Sequence, residues 1–474
     1  MLDSEQLYKI GFRFVTDSVE LMTPYGEELK RRARFYGRGE ENELKAEQKN
    51  VARLVGLVRE EPAKVNAILR LLMPVKDIRR SIGAIGAKTL SEVELFEIKR
   101  FLLQLELIAP VTEDVSRGLD GVSIEPIPGA LGVIDPDGTR SPSFYVSDRL
   151  SEKLCGIRRE RKLVDEEIKK NGASEELVIK RTRLAAMEED ENARVRGEIT
   201  DKLVPYKEKL LANTASIARL DFALGKARLA EKTGAVMPKV GSDGFGLSGM
   251  TNPRYAAILA EKGLSFMPVS LKLERGSVVI TGANMGGKSV AIKTLALNVM
   301  LAMCGYFVFA DSAELPYLDG VCLLSEDRED AESGLSTFGG EMKAFDEMLK
   351  DTAEMENALV LLDEFARGTN PHEGTKLVKA AARLFNERKN TFAVIATHFD
   401  GVSRLAKIHY RVAGLKGNDP ETLKTRLACG ADDLSKLMDY GLYPVPPDEE
   451  PPRDAVKIIK ALGVSREFTD LIDI

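Results

Sequence analysis

Cysteine is sparse in this chain of 474 residues, and its four copies, Cys155, Cys304, Cys322 and Cys429, stand far apart. They form no Cys-x-x-Cys pair and have no histidine beside them, which argues against a zinc centre or a disulfide frame and predicts a reducing, cytoplasmic setting. A basic excess is also missing. Lysine and arginine number 68 against 74 acidic residues, a net charge of −6, so no global field advertises nucleic acid, although a local patch remains open. No uninterrupted apolar run reads as a membrane span. The most hydrophobic segment, Thr294 to Ala310, contains Asn298 and Gly305 and reads as a buried helix followed by a strand. Asp3, Glu5 and Lys9 break up the amino-terminal segment, so no secretory leader is expected.

The length is ample for two to four domains with a sizeable core. The first hundred residues carry helical spacing, in Val51 to Val58, in Val65 to Met73 and again in Ser91 to Ile108. In the last of these Ser91 is the expected cap, with Glu92 and Glu94 in the first turn. The glycine- and proline-rich stretch Gly118 to Ser143 reads as short strands or loops. From Ser147 the composition turns to charged helix: Leu150, Leu154, Ile157, Val164 and Ile168 keep near-heptad spacing, with Arg161 at one seam position. Asn171, Gly172 and Ala173 predict a turn, after which Ser174 caps a second helix that reaches about Lys232 and is kinked at Pro205. The basic residues Lys30, Arg31, Arg32, Arg34 and Arg38 are interspersed with glutamates and read as a solvated face.

Chemistry concentrates in the second half. Residues 282–289, GANMGGKS, follow the strand-like run Ser277 to Thr281 and precede a helix-compatible run from Val290. This is the strand–loop–helix context that a phosphate-binding loop requires. Its glycines let backbone N–H groups turn toward phosphate oxygens, and the helix start adds positive potential. Lys288 is the expected contact to the β- and γ-phosphates of a nucleoside triphosphate, and the Ser289 hydroxyl the expected magnesium ligand. Some seventy residues on, the apolar strand Ala358 to Leu362 ends in Asp363 and Glu364. Asp363 is placed to hold magnesium through water and Glu364 to polarise the attacking water as general base. A third strand, Phe392 to Ala396, ends in Thr397 and His398, a candidate for sensing the γ-phosphate or positioning the water. His372 and His409 have no comparable context and read as surface residues.

Four strings then resemble the ATPase domain of the MutS family in order and spacing: ITGANMGGKS, STFGGEM (Ser336 to Met342), LVLLDEFARGTNPHEG (Leu359 to Gly374) and IATHF (Ile395 to Phe399). The resemblance implies an ABC-type, magnesium-dependent ATPase that works as a dimer, either with itself or with a MutS-like paralogue. It implies that Gly282, Asn284, Met285, Gly286, Gly287, Lys288 and Ser289 contact ATP. It further implies that Ser336 reaches the partner's γ-phosphate, that His398 is the switch histidine, and that Arg367 to Asn370 line the dimer interface. Phe266 is the implied adenine-stacking residue, and Val290 stands where the family usually has threonine.

The expected architecture is an α/β phosphate-loop ATPase domain preceded by an all-α core and a helical coiled-coil lever. Its expected boundaries are 1–147 for the core, 148–235 for the lever, 236–415 for the ATPase and 416–474 for a dimer-supporting helical end. The chain departs from the family in two ways. Residues 1–147 have no Phe-x-Glu motif and no room for both a mismatch-reading domain and a connector, and only Asn171 to Ser174 separates the two arms where a clamp is usual. Two outputs follow: action on branched, mismatched or otherwise structured DNA, or reactivation of an adenosylcobalamin-dependent lysine or ornithine aminomutase, the role of truncated proteins that this chain resembles.

Overall fold

The structure is a computed structural model that describes residues 2–32, 34–141, 143–282, 287–325, 337–415, 438–449, 465–469 and 471. Asn284, Met285, Gly286 and Ser336 therefore lie outside the described residues, as does most of the segment expected to form the helical end. The chain divides into two compact units, one of residues 20–33 and 49–228, the other of residues 1–19, 34–48 and 229–474.

Along the chain come helices α1 (Ser4–Lys9), α2 (Phe12–Asp17), α3 (Pro24–Arg31), α4 (Glu41–Glu60), α5 (Pro62–Leu72), α6 (Arg79–Ala84), α7 (Glu92–Ser116), α8 (Pro128–Ile134), α9 (Glu152–Asn171), α10 (Glu175–Leu203) and α11 (Lys207–Thr233). The first unit is wholly helical among its described residues and is organised around α7. Ser91 and Glu94 form the reciprocal cap that starts this helix, satisfying two amide groups that would otherwise be orphaned. Leu95, Ile98, Leu102, Leu105 and Ile108 form its buried stripe, packed against α5, α6 and α8. The glycine- and proline-rich stretch is not simply loop, because α8 lies inside it. Pro128 occupies the first helical turn, where its missing N–H costs nothing, and Ala130, Leu131 and Ile134 are buried. Asp221 on α11 accepts hydrogen bonds from the backbone N–H groups of Met22 and Thr23 and from the Thr23 hydroxyl at 2.7 Å. Burial pushes its carboxyl above the usual carboxylate range, and those three donors pull it back.

The α9–α10 pair forms the expected antiparallel arm. Ile157, Val164 and Leu184 fill its seam, with Ile168 and Leu177 packed against them, and Arg161 is accommodated by pairing with Glu188, which also accepts from Arg158 at 2.9 Å. The turn at Gly172 and the Ser174 cap are both present. At Pro205 the helix breaks into a 3₁₀ turn, Val204–Tyr206, before α11 resumes, as a residue without a donor and with a clashing ring requires.

The second unit contains strands β1 (Lys239–Val240), β2 (Phe245–Met250), β3 (Val269–Leu273), β4 (Gly276–Thr281), β5 (Ser312–Leu315), β6 (Gly320–Ser325), β7 (Ala358–Asp363), β8 (Thr391–Ala396), β9 (Ile408–Leu415) and β10 (Met438–Val445), with α12 (Pro253–Glu261), α13 (Lys288–Met303), α14 (Thr337–Ala353) and α15 (Pro371–Glu387). A large sheet runs β10-β9-β4-β8-β7-β6, parallel except for β10, and a smaller one runs β1-β5-β2-β3. Strands β4, β7 and β8 are buried at every position, which is why they read as continuous apolar runs. Val279, Val360, Leu362, Ala393 and Ile395 pack in one core cluster with Met348 of α14 and Val378, Ala382 and Phe385 of α15. Helix α13 touches β7 and β8 of the large sheet and β2 and β3 of the small one, and its apolar residues are buried around its circumference. The apolar segment at Thr294 is thus an interior helix of a two-sheet unit. After it, Val308 makes only an isolated bridge with Val236. Asn298 explains the departure from a regular strand: it donates to Thr251 O and accepts from the Phe309 N–H at 2.8 Å, tying the connection to β2's end. Among the described residues no helix is long and apolar enough to cross a membrane.

Candidate functional site

Parallel pairing in register brings the carboxyl ends of β4, β7 and β8 together, with Ile280 and Asp363 both opposite Ala396. Crevices beyond such strand ends are where open α/β sheets bind ligands. Gly287 caps α13 at φ 90°, a left-handed conformation that glycine adopts without a side-chain clash. The next two residues turn inward. Lys288 is 2% exposed, and its Nζ donates to Gly282 O at 2.8 Å and lies 3.3 Å from Glu364 Oε1. Ser289 Oγ donates to Asp363 Oδ1 at 2.8 Å. Burial drives the Lys288 ammonium below its ordinary pKa, opposed by Glu364, and raises the Asp363 carboxyl, opposed by the Ser289 bond. Burial thus disfavours charge on both groups, and oppositely charged neighbours partly restore it.

The backbone of the next turn is strained. Glu364 and Ala366 have φ of 56° and 62°, a region that costs a residue with a side chain about 1–2 kcal/mol. Strain of this kind persists where the surroundings over-determine it, and it clusters at functional sites. Here Glu364 N–H donates to Ala396 O, and Ala366 N–H donates to Glu341 Oε1 at 3.0 Å. Gly374 permits close approach from α15, since a Cβ there would lie 2.8 Å from Ala366 O. Arg367 Nη1 lies 2.9 Å from Glu364 Oε2, so both carboxylate oxygens face cations.

The structure therefore gathers Gly282, Lys288, Ser289, Asp363 and Glu364 into one cluster. His398 follows β8, with its ring centroid 4.4 Å from that of Phe399. Phe266 is half-buried between α12 and β3 and makes no ring contact among the described residues. Three participants escape the motif reading. Glu341 belongs to STFGGEM, and only its neighbour Ser336 stood out there. Tyr440, some 150 residues beyond the loop, packs so close that a Cβ on Gly287 would meet its Cδ1 at 3.2 Å. The third corrects an expectation: His409 is 1% exposed, not a surface residue. It lies on β9 and joins Thr281 Oγ1 through Nε2 at 2.8 Å and Pro446 O through Nδ1 at 2.9 Å. A carbonyl only accepts, so Nδ1 carries the proton and Nε2 accepts from the Thr281 hydroxyl. Its apolar flanks Ile408 and Tyr410 at strand spacing were the available signal.

His409 gives a pH prediction. Burial lowers its pKa below the ordinary 6.5, with Glu449 and Arg411 acting in opposite directions. Below pH 6.5 the unfolded chain takes up a proton that the folded chain resists, so folding stability is lost as pH falls. Wild type is therefore expected to lose more stability than His409→Gln between pH 7.5 and pH 5.5. Equal losses in thermal melts at the two pH values would refute it.

The fold and cluster define a mixed α/β domain with buried charged residues converging at the ends of parallel strands. Residues 278–425 match the family described as MutS domain V. The chain is 30% identical over 280 residues to the DNA mismatch repair protein MutS of Syntrophomonas wolfei subsp. wolfei, covering 57% of this chain and 31% of that protein. It is 33% identical over 217 residues to the DNA mismatch repair protein MutS of Thermus aquaticus, covering 45% and 26%. It is also 31% identical over 219 residues to the endonuclease MutS2 of Finegoldia magna, covering 46% and 27%. The similarity to MutS proteins includes this α/β part, whose residues 278–425 match MutS domain V, and the chain spans at most about a third of the length of these relatives.

Proposed function

We propose that the chain is a dimeric, magnesium-dependent ATPase that couples turnover to movement of its helical arms on structured DNA. The observation that carries this reading is the meeting of Lys288, Ser289, Asp363 and Glu364 at the strand ends. The donor set suits the ligands. Hydroxyl and carboxylate oxygens are hard donors of the kind magnesium takes, and a buried ammonium at a helix start suits phosphate oxygens. In this reading Ser289 and Asp363 hold the metal, which supplies charge neutralisation on the phosphates when bound. Lys288 and the loop residues Gly282, Asn284, Met285, Gly286 and Gly287 bind the phosphates, Glu364 polarises water, and His398 orients it. Ser336 serves the partner's site. Of the two aromatics that could face the base, Phe266 and Tyr440, the second lies against Gly287.

Two of the relatives are named as DNA mismatch repair proteins, which supports DNA as the target. One observation favours a protein target instead. Most of the arginine-rich run is already paired with carboxylates: Lys30 with Glu27, Arg32 with Glu28, Arg34 with Glu40 and Arg38 with Glu356. The alternative that the sequence resemblance implies is reactivation of an aminomutase. The deciding experiment measures ATP turnover with fork, junction and duplex DNA across a salt series. Stimulation by branched DNA that falls steeply with salt is expected, since binding must neutralise phosphates. No binding and no stimulation by any DNA at low salt would overturn the DNA reading. Turnover would then be measured with an inactivated aminomutase.

A further inference from the structure

Helix α14 grips the strained turn after β7 at two points. Glu341 Oε1 accepts from the Ala366 N–H at 3.0 Å. One helical turn later, on the same face, Phe345 stacks on Phe365 with centroids 4.6 Å apart and planes at 29°. Phe345 also meets Phe385 of α15 edge-on at 6.4 Å, and Phe365 is 2% exposed. Both left-handed residues, Glu364 and Ala366, flank Phe365, and one amide of this turn is held by the Glu341 carboxylate. A charged acceptor makes a stronger hydrogen bond than a neutral one, so this contact is comparable in size to the strain that it opposes.

We propose that Glu341 is a positioning residue: through the Ala366 amide it fixes the turn that aims Glu364, and it passes displacements of α14 to that carboxylate. The proposal rests on the reading of Glu364 as the water-polarising base.

The test compares Glu341→Ala, which removes the acceptor, with Glu341→Gln, which keeps a carbonyl oxygen in its place. In the full-length protein, Glu341→Ala is expected to lower kcat on the order of ten- to a hundredfold, as misplacement of a reacting group does. ATP affinity should stay unchanged, and Glu341→Gln should restore most of the rate. Amide hydrogen exchange over residues 364–368, measured without nucleotide, should quicken in Glu341→Ala and not in Glu341→Gln. Equal exchange in all three proteins would overturn the brace. So would a Glu341→Ala protein with wild-type kcat, or one whose loss of rate Glu341→Gln fails to repair. If wild type itself neither binds nor hydrolyses ATP, the ATPase reading fails instead, while the exchange comparison still decides whether Glu341 holds the turn.

Discussion

Glu364→Gln is expected to bind ATP at least as tightly as wild type and to hydrolyse it on the order of a hundred- to ten-thousandfold more slowly, the range that general-base removal produces. The two effects separate because of where the carboxylate sits. Glu364 is buried, 3.3 Å from Lys288 Nζ and 2.9 Å from Arg367 Nη1. In the unliganded protein it competes for the lysine that phosphate oxygens would claim. Glutamine keeps the shape and one carbonyl acceptor but removes the charge, so Lys288 is released more readily while water activation is lost. Nucleotide titration and steady-state turnover on the same preparation test this. Near-wild-type turnover would remove Glu364 from the base role, and a parallel loss of affinity would mean that the substitution had disturbed the loop instead.

Legibility in the sequence followed the range of the forces involved. Strands β4, β7 and β8 were readable because a parallel sheet covered on both faces demands unbroken apolar runs, and Val278 to Ile280, Leu359 to Leu362 and Ala393 to Ile395 provide them. The α9–α10 arm was readable from local spacing and from Ser174 as a cap, and the break at Pro205 from the ring's missing donor. The Lys288, Ser289, Asp363 and Glu364 cluster was legible because the motifs themselves encode its spacing. What escaped was set by contacts distant in sequence. His409 looked featureless until β9 placed it beside Thr281, 128 residues away. Tyr440 approaches Gly287 only because β10 pairs back onto β9. Helix α8 was hidden by the proline that starts it, and the left-handed backbone at Glu364 and Ala366 belongs to residue types that do not announce it.

Lys288→Ala is expected to weaken ATP binding by at least a hundredfold. Loss of two charge-assisted bonds to phosphate, at about 1.5–3 kcal/mol each, corresponds to roughly two to four decades in Kd. Lys288→Arg should not rescue it, because a planar guanidinium is too large for a side chain that is 2% exposed and bonded to Gly282 O at 2.8 Å. Isothermal titration with ATP and magnesium checks this, and unchanged affinity in Lys288→Ala would remove the phosphate-loop assignment. The unliganded protein provides an independent readout. Deleting the ammonium leaves the Glu364 carboxylate buried and paired with the half-exposed Arg367, so Lys288→Ala should melt at lower temperature than wild type. Neutralising the carboxylate that has lost its lysine should then recover stability, making Lys288→Ala with Glu364→Gln more stable than the two single losses predict. Groups in direct contact couple in this way, whereas distant ones add. Strict additivity in the thermal melts would show that the 3.3 Å contact between the two residues contributes nothing in solution.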